Sequence, residues 1–388
     1  MTGSALRDLL HERVDDLSMP DLSAPAWRAG QRVRRRRRLG AVAGVMSAVA
    51  AVSAVVAVTD ASAPKPRPGP APATTSPAAV GTEPNAMVDG TPVWWSPDSA
   101  AEDTLAPPSG NGELPTSIDL TQAAPDVGTA PVARAVAAVS VSNDSGDDRL
   151  VLVTPDGYRT LDVSRLGQVT KSNGYRVDPT GETMLSPSGA ALLFPQDGHL
   201  MVYTLATGAW DRLDTGATPT VGAYWLTDDR IILPFGDQSI ARSGGALRHP
   251  DLLSLSLPSM RPPAAVGEAT AYGSIHSNPA RTSTAQAFAY GAVVPVPSGA
   301  IGNPETVVVQ PATGPAMILA IIGSSSDRSK LCCPVVGWTD DRTVVYESRG
   351  ADPKLIGWRV GTDHFELVAR IVGLGTGEWY VASFADLS

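Results

Sequence analysis

Residues 186–216 read SPSGAALLFPQDGHLMVYTLATGAWDRLDTG. The turn Ser186-Pro187-Ser188-Gly189 precedes the run AALLF (190–194). Asp197-Gly198 leads into HLMVYTL (199–205), and Ala206-Thr207-Gly208 into AWDRLD (209–214). Runs of this length, rich in aliphatic and aromatic side chains and bounded by turn residues, predict strands. Pro presets φ at a turn, and Gly after Asp supplies the positive φ of a tight hairpin. The stretch is expected to be three strands of one antiparallel meander.

The same order recurs in both directions. Upstream, VARAVAAVSV (132–141) is followed by Asn143-Asp144-Ser145-Gly146, RLVLV (149–153), Pro155-Asp156-Gly157 and YRTLDV (158–163). Downstream, Thr227-Asp228-Asp229-Arg230 precedes IILPF, and Leu252 to Leu257 forms the next run. Residues 285–290 and 305–310 alternate with turns, and Ala312-Thr313-Gly314 leads into AMILAII. Thr339-Asp340-Asp341-Arg342 then precedes TVVYES, KLIGWRV and FELVARIV. The first turn of each unit falls near 143, 187, 228, 279 and 340, at spacings of 44, 41, 51 and 61 residues. Repeats of about 40–50 residues built from four short strands predict an all-β domain of β-propeller type. A sixth unit is expected from the ends, with EWYVASF (378–384) pairing with strands drawn from 93–120 such as TSIDL. Joining first and last strands removes an open edge. Six blades are expected, with seven as the alternative.

The string 186–216 resembles a blade of WD-repeat-like or TolB-like propellers, which carry a Ser-Pro-Asp-Gly turn and strands ending in Ala-Thr-Gly. Ser188 stands where the Asp is usual, and the Trp-Asp dipeptide with its structural His is absent. The likeness spans roughly 130–385 and implies architecture, not activity.

Charge divides the chain sharply. Residues 1–38 hold nine Arg and no Lys against five acids, a net of +4. The remaining residues hold 21 basic and 34 acidic groups, a net of −13. An acidic body argues against nucleic-acid binding. The basic end closes on Arg34, Arg35, Arg36, Arg37 and Arg38. Behind it, LGAVAGVMSAVAAVSAVVAVT (39–59) carries no charge and no proline. A helix of that length spans roughly 30 Å, the thickness of a bilayer core. It is read as one uncleaved transmembrane helix. A cleaved signal peptide is the alternative, since Ala61-Ser62-Ala63 has the A-x-A form, but Pro64 directly behind it disfavours cleavage. The arginine run, facing only Lys65 and Arg67 across the span, orients the N-terminus to the cytoplasm and the C-terminal part outside.

Four segments result: a cytoplasmic tip (1–38), the span (39–59), a linker (60–114) and the extracytoplasmic domain (115–388). In the tip, Leu6, Leu9, Leu10, Val14 and Leu17 share one helical face, with Ser4 as its cap. So short a helix gains stability by docking, either on a cytoplasmic protein or on the membrane surface. The linker is a Pro/Ala-rich stalk whose composition buries no core; residues 60–93 contain eight prolines. This layout resembles membrane-anchored propeller proteins of high-GC Gram-positive bacteria, and the excess of Arg over Lys, 26 to 4, fits such a source.

Sequence motifs for chemistry are sparse. There is no H-E-x-x-H, G-x-S-x-G or P-loop pattern, and no cofactor is expected. His199, His249, His276 and His364 lack metal-ligand spacing and read as surface or packing residues. The acidic stretch Asn143–Asp148 reads as a solvated hairpin turn in place of a calcium loop. The Thr-Asp-Asp-Arg tetrads follow Trp225 and Trp338. They read as turns capped by Asp, with the tryptophan packed between blades. Cys332 and Cys333 are adjacent. They form a strained vicinal disulfide, or stay as free thiols, or pair with another chain.

The leading expectation is a membrane-anchored binding or sensing module without catalysis, with a protein or glycan ligand outside. Two alternatives stand beside it. One is a cell-envelope enzyme on a propeller scaffold, which needs convergent acids, histidines or a metal. The other is an anti-sigma-like regulator, although the tip is short and lacks a His-x3-Cys-x2-Cys site.

Overall fold

A computed structural model describes residues 82–388, apart from 109–111, 144–147, 172–173, 217–218, 234–238, 244–245, 248–269, 290–304 and 323–332. The described residues belong to one compact unit, 78–388. The expected docking face (Leu6, Leu9, Leu10, Val14, Leu17), the Arg34–Arg38 run and the span 39–59 all lie outside the described residues. Among those described, no helix is long and apolar enough to cross a membrane.

The chain enters the fold through a hairpin, β1 (Ala86–Val88) and β2 (Thr91–Trp95). Asp89 and Gly90 take φ of 47° and 78° between them, the conformation a two-residue turn needs to match strand twist. A short helix, α1 (Ser99–Glu102), is capped by Asp98, whose carboxylate accepts from the Ala101 N–H. Then come β3 (Ser117–Asp119) and the meander β4 (Ala137–Asn143), β5 (Arg149–Thr154) and β6 (Gly157–Leu161). A small hairpin, β7 (Val169–Thr170) and β8 (Arg176–Val177), precedes β9 (Ala191–Gln196), β10 (His199–Thr204) and β11 (Ala209–Asp214). These last three are the strands expected from the 186–216 stretch.

Next are β12 (Tyr224–Thr227), β13 (Arg230–Ile232), β14 (Ser239–Ser243) and β15 (Ala246–Leu247). They are followed by β16 (Thr270–Ser277), β17 (Ser283–Ala289), β18 (Glu305–Pro311) and β19 (Met317–Ile321). The chain ends with β20 (Val335–Trp338), β21 (Thr343–Ser348), β22 (Lys354–Arg359), β23 (Phe365–Val372) and β24 (Glu378–Phe384).

Among the described residues these strands make five larger sheets and the β7–β8 pair. The first sheet is β24-β4-β5-β6, the second β9-β10-β11, and the third β12 to β15. The fourth is β16 to β19 with β2 and β1 outside, and the fifth β20 to β23 with β3 outside. Within each repeat the strands pair antiparallel with their sequence neighbours.

The sixth unit expected from the ends is not formed. All seven residues of EWYVASF pair with β4, from Glu378 against Asn143 to Phe384 against Ala137. The reason is burial. β4 is buried along nearly its whole length, so both of its backbone edges need hydrogen-bond partners. The N-terminal strands go elsewhere. β2 runs parallel to β19, and β3 parallel to β23. Residues 125–127 continue the series along β6, with the Val127 N–H donating to the Thr160 carbonyl at 2.8 Å. Residues 86–127 therefore cover the outer edges of the fourth, fifth and first sheets in turn, which blunts edges that would otherwise template aggregation. The linker consequently stops well before its expected end at 114. Glu102 of α1 is buried at 1% exposure and accepts from Ser348 on β21.

Four apolar clusters join the sheets face to face. Val139, Val141, Val345, Leu355 and Val368 pack the first sheet on the fifth. Ala287, Val307, Trp338 and Tyr346 pack the fourth on the fifth. Leu150, Leu152, Leu192 and Phe194 join first and second, and Leu193, Leu200, Trp225 and Ile231 join second and third. Each such buried side chain stabilises by about 1.5–3 kcal/mol relative to exposure. The packing order is fourth, fifth, first, second, third.

Candidate functional site

The two tryptophan tetrads do more than cap turns. Trp225, at the start of the third sheet, donates its indole N–H to the Met184 carbonyl at 3.1 Å. Three residues on, Asp228 accepts from the Ser188 N–H at 2.9 Å. Trp338, at the start of the fifth sheet, donates to the His276 carbonyl at 3.1 Å, and Asp341 accepts from the Ala280 N–H at 2.7 Å. Donors and acceptors keep the same spacing in both places: Trp and Asp three apart, their partners four apart. Each pair staples the first strand and turn of one sheet to the chain at or just before the first hairpin of its predecessor. Asp340 meanwhile caps its own turn through the Arg342 and Thr343 N–H groups.

A charged cluster sits close to the residues these staples join, against Val335 and Val336 of β20 and His276 of β16. β21 is buried along its whole length, so Glu347 has no solvent face to use. Side chains alternate along a strand, so Glu347 shares the side of Val345, which faces β24. Arg349, just past the strand end, donates from one Nη to Glu347 at 2.9 Å and to Glu182 at 2.7 Å. Tyr380 of β24 faces Glu347. His276 of β16 lines the same small cavity, with Glu182, Glu347, Val335, Val336, Ala382 and Phe384. The cavity holds about 20 Å³, room for roughly one water.

Burial and charge shift these groups in opposite directions. Desolvation raises the Glu347 carboxyl above the usual glutamate range, against the pull of the Arg349 charge. Burial works against the Arg349 charge as well, but the Glu347 and Glu182 carboxylates hold its pKa above the ordinary guanidinium value. Burial, then the nearby Glu347 charge, raises the Tyr380 phenol. Burial pushes the His276 imidazole down to about 4, so it is neutral at neutral pH.

Near the start of β24 stands Trp379, 48% exposed. Ala382 and Phe384 on one side of β24 pack into the core shared with the fifth sheet. Ser383, on the other side, accepts from the Leu185 N–H at 2.9 Å. Trp379 shares the Ser383 side and so points toward the segment carrying Glu182. Next to it, Glu378 takes a two-point ion pair from Arg149, at 2.8 and 3.1 Å; this pairing holds the Glu378 carboxyl below its usual range.

No protein-family model matches this chain. No curated protein matches it either. Among solved structures, it is similar to the putative TolB from Agrobacterium tumefaciens, with TM-score 0.28 and 15% identity, covering 62% of this chain and 71% of that one. It is also similar to the AtxE2 isopeptidase in its apo form, with TM-score 0.28 and 12% identity over 63% and 48%. A third is the dihydro-heme d1 dehydrogenase NirN in complex with DHE, with TM-score 0.24 and 16% identity over 72% and 50%. Likeness at this level says nothing about activity, and the fold described above rests on the sheets themselves.

Of the residues singled out in the sequence, His276 alone joins the cluster. The His199 ring contacts the Asp197 carbonyl at 3.1 Å, and His364 is exposed. His249 and 144–147 lie outside the described residues. Among those described, no three His, Cys, Asp or Glu side chains come together as a metal site. Cys333 is buried and disulfide-bonded; Cys332 lies outside the described residues. Sequence reading missed Glu182, Glu347, Arg349, Trp379 and Tyr380. One signal was present: in TVVYESRG, a glutamate ends a run that is apolar on both faces, with an arginine two residues on.

Proposed function

We propose that this chain is a single-pass membrane protein whose extracytoplasmic domain is a β-propeller of five sheets that binds a protein or glycan ligand without performing chemistry. The observation that carries this reading is the pairing inside the central cluster. Arg349 spends its charge on Glu182 and Glu347, and the space beside them takes about one water. A substrate needs a concave pocket of several hundred Å³ and free acid or base groups. Trp379 supports ligand binding at the surface of β24, since a partly exposed indole offers large contact area at small entropy cost. The five sheets, packed in series with the same Trp–Asp staple at two of their junctions, support the propeller reading.

The rest of the layout follows from the sequence. Arg34–Arg38 hold the tip inside, residues 39–59 cross the bilayer, and the Leu6, Leu9, Leu10, Val14 and Leu17 face docks on a cytoplasmic protein. Crosslinking in intact cells tests both ends. Trp379→Ala loses the external partner at unchanged melting temperature, and deletion of residues 1–30 loses the internal one. Unchanged partners in both variants refute the reading.

A second reading, a cell-envelope enzyme, is favoured by one observation: two glutamates, an arginine, a histidine and a tyrosine do converge. It requires Glu182→Gln to abolish turnover of an envelope polymer while leaving its binding intact.

A further inference from the structure

Among the described residues, the cluster holds two carboxylates and one guanidinium. Glu182 and Glu347 share the single Arg349 guanidinium through one Nη. Glu347 is fully buried. The Tyr380 hydroxyl lies against its carboxylate as a donor, and Arg349 supplies the charge. A buried carboxylate whose counter-charge is shared with a second carboxylate is costly. One species small enough for the cavity would relieve this. A proton on Glu347 cancels the surplus charge.

We propose that the Glu182–Arg349–Glu347–Tyr380 cluster is a proton-binding site that ties β21 of the fifth sheet and β24 of the first to the segment leading into β9. Every element around Glu347 contributes. Arg349 follows its own strand, Glu182 comes from the segment leading to β9, Tyr380 from β24, and His276 from β16. β20 contributes only Val335 and Val336. His276 supplies no counter-charge near neutral pH, because burial pushes it down to about 4. Glu182 keeps 29% of its side chain exposed, so it and the one-water cavity form a route for the proton from solvent. The inference stands on the cluster alone and does not need a ligand at Trp379.

The sign follows from burial. A carboxyl raised in the folded state stabilises fully below its unfolded value, and the contribution fades as pH rises through the folded value. Deprotonation returns the uncompensated charge and loosens the contact of β21, β24 and the segment leading into β9.

The test is a melting series on the full chain in detergent from about pH 5 to pH 8, with Glu347→Gln and Tyr380→Phe beside the wild type. Infrared spectra record the stretch of a protonated carboxyl in parallel. The wild-type melting temperature should fall as pH rises. Glu347→Gln, which mimics the protonated form, should remove that fall, and Tyr380→Phe, which takes a donor from the carboxylate, should move it to higher pH. The infrared band should fade with rising pH and be absent from Glu347→Gln. Parallel melting curves with no such band refute the site. A sodium- or potassium-dependent rise in melting temperature, lost in Glu347→Gln, assigns the cavity to a metal cation and also refutes it. Should Glu347→Gln fail to fold, the wild-type infrared titration decides alone.

Discussion

Arg349 holds two carboxylates, Glu182 and Glu347, that no other cation bonds among the described residues. Replacing it with Met keeps most of the volume and removes the charge. Glu347 then remains buried beside Glu182 with nothing to offset it, and breaking a buried pair in this way costs about 3–5 kcal/mol. The loss should be larger at about pH 8 than at about pH 5, because Glu347 escapes by protonating in acid. Adding Glu347→Leu should recover much of it, since an apolar replacement of a buried pair is often neutral. Denaturant titration of the two variants at both pH values measures this. An Arg349→Met loss that is independent of pH would mean that packing, not charge, sets the effect. This residue-scale cluster was the least legible part of the sequence. Glu182, His276, Glu347 and Tyr380 are spread over about two hundred positions, and neither period nor spacing links them. Only folding brings them together. The tetrads were legible because turn capping is local: Asp340 bonds within two or three residues of itself.

The strands themselves were read well wherever a turn bounded them. β9, β10 and β11 match the runs quoted at 190–214 within a residue or so, and Asp197-Gly198 and Ala206-Thr207-Gly208 fall between them. The partners of the end strands were not legible. A strand such as EWYVASF fits any open edge, and burial of β4 made the choice. Two element-scale predictions follow from the contacts. Trp225→Phe and Trp338→Phe each remove one indole N–H donor, while the Met184 carbonyl keeps the Leu193 N–H at 2.7 Å. Each should cost about 0.5–1.5 kcal/mol, and the two losses should be alike because the staples are alike. Thermal melts compare them; a loss in only one would break the repeat argument. Ile118 is fully buried in the core shared by the first and fifth sheets. Ile118→Ala should cost about 2–5 kcal/mol. It should also loosen β3 from β23 and expose that edge, so light scattering on heating should rise earlier than in Trp338→Phe, which leaves the edge covered.

Across the whole molecule, the charge of −9 separates into +4 before the apolar stretch and −13 after it. That asymmetry carries a prediction about orientation. The rule that sets orientation counts Lys and Arg near the ends of a span and gives acids little weight. Arg34 to Arg38 outweigh Lys65 and Arg67, so the N-terminus should stay inside. The lysines offer a direct readout. All four, Lys65, Lys171, Lys330 and Lys354, follow the span. Lys171 is exposed, whereas Lys354 is buried at 4% exposure and paired with Asp103 at 3.2 Å. An amine reagent that cannot cross membranes should therefore label intact cells at Lys171, and Lys354 should stay protected until the domain unfolds. Changing Arg34–Arg38 to Gln leaves Arg28 and Arg32 close to the span, against Lys65 and Arg67. The orientation bias then nearly vanishes, and labelling of Lys171 in intact cells should fall while labelling after lysis holds. If wild-type Lys171 is labelled only after lysis, the sheets lie on the cytoplasmic side, and the reading of the tip, the span and the external ligand falls with it.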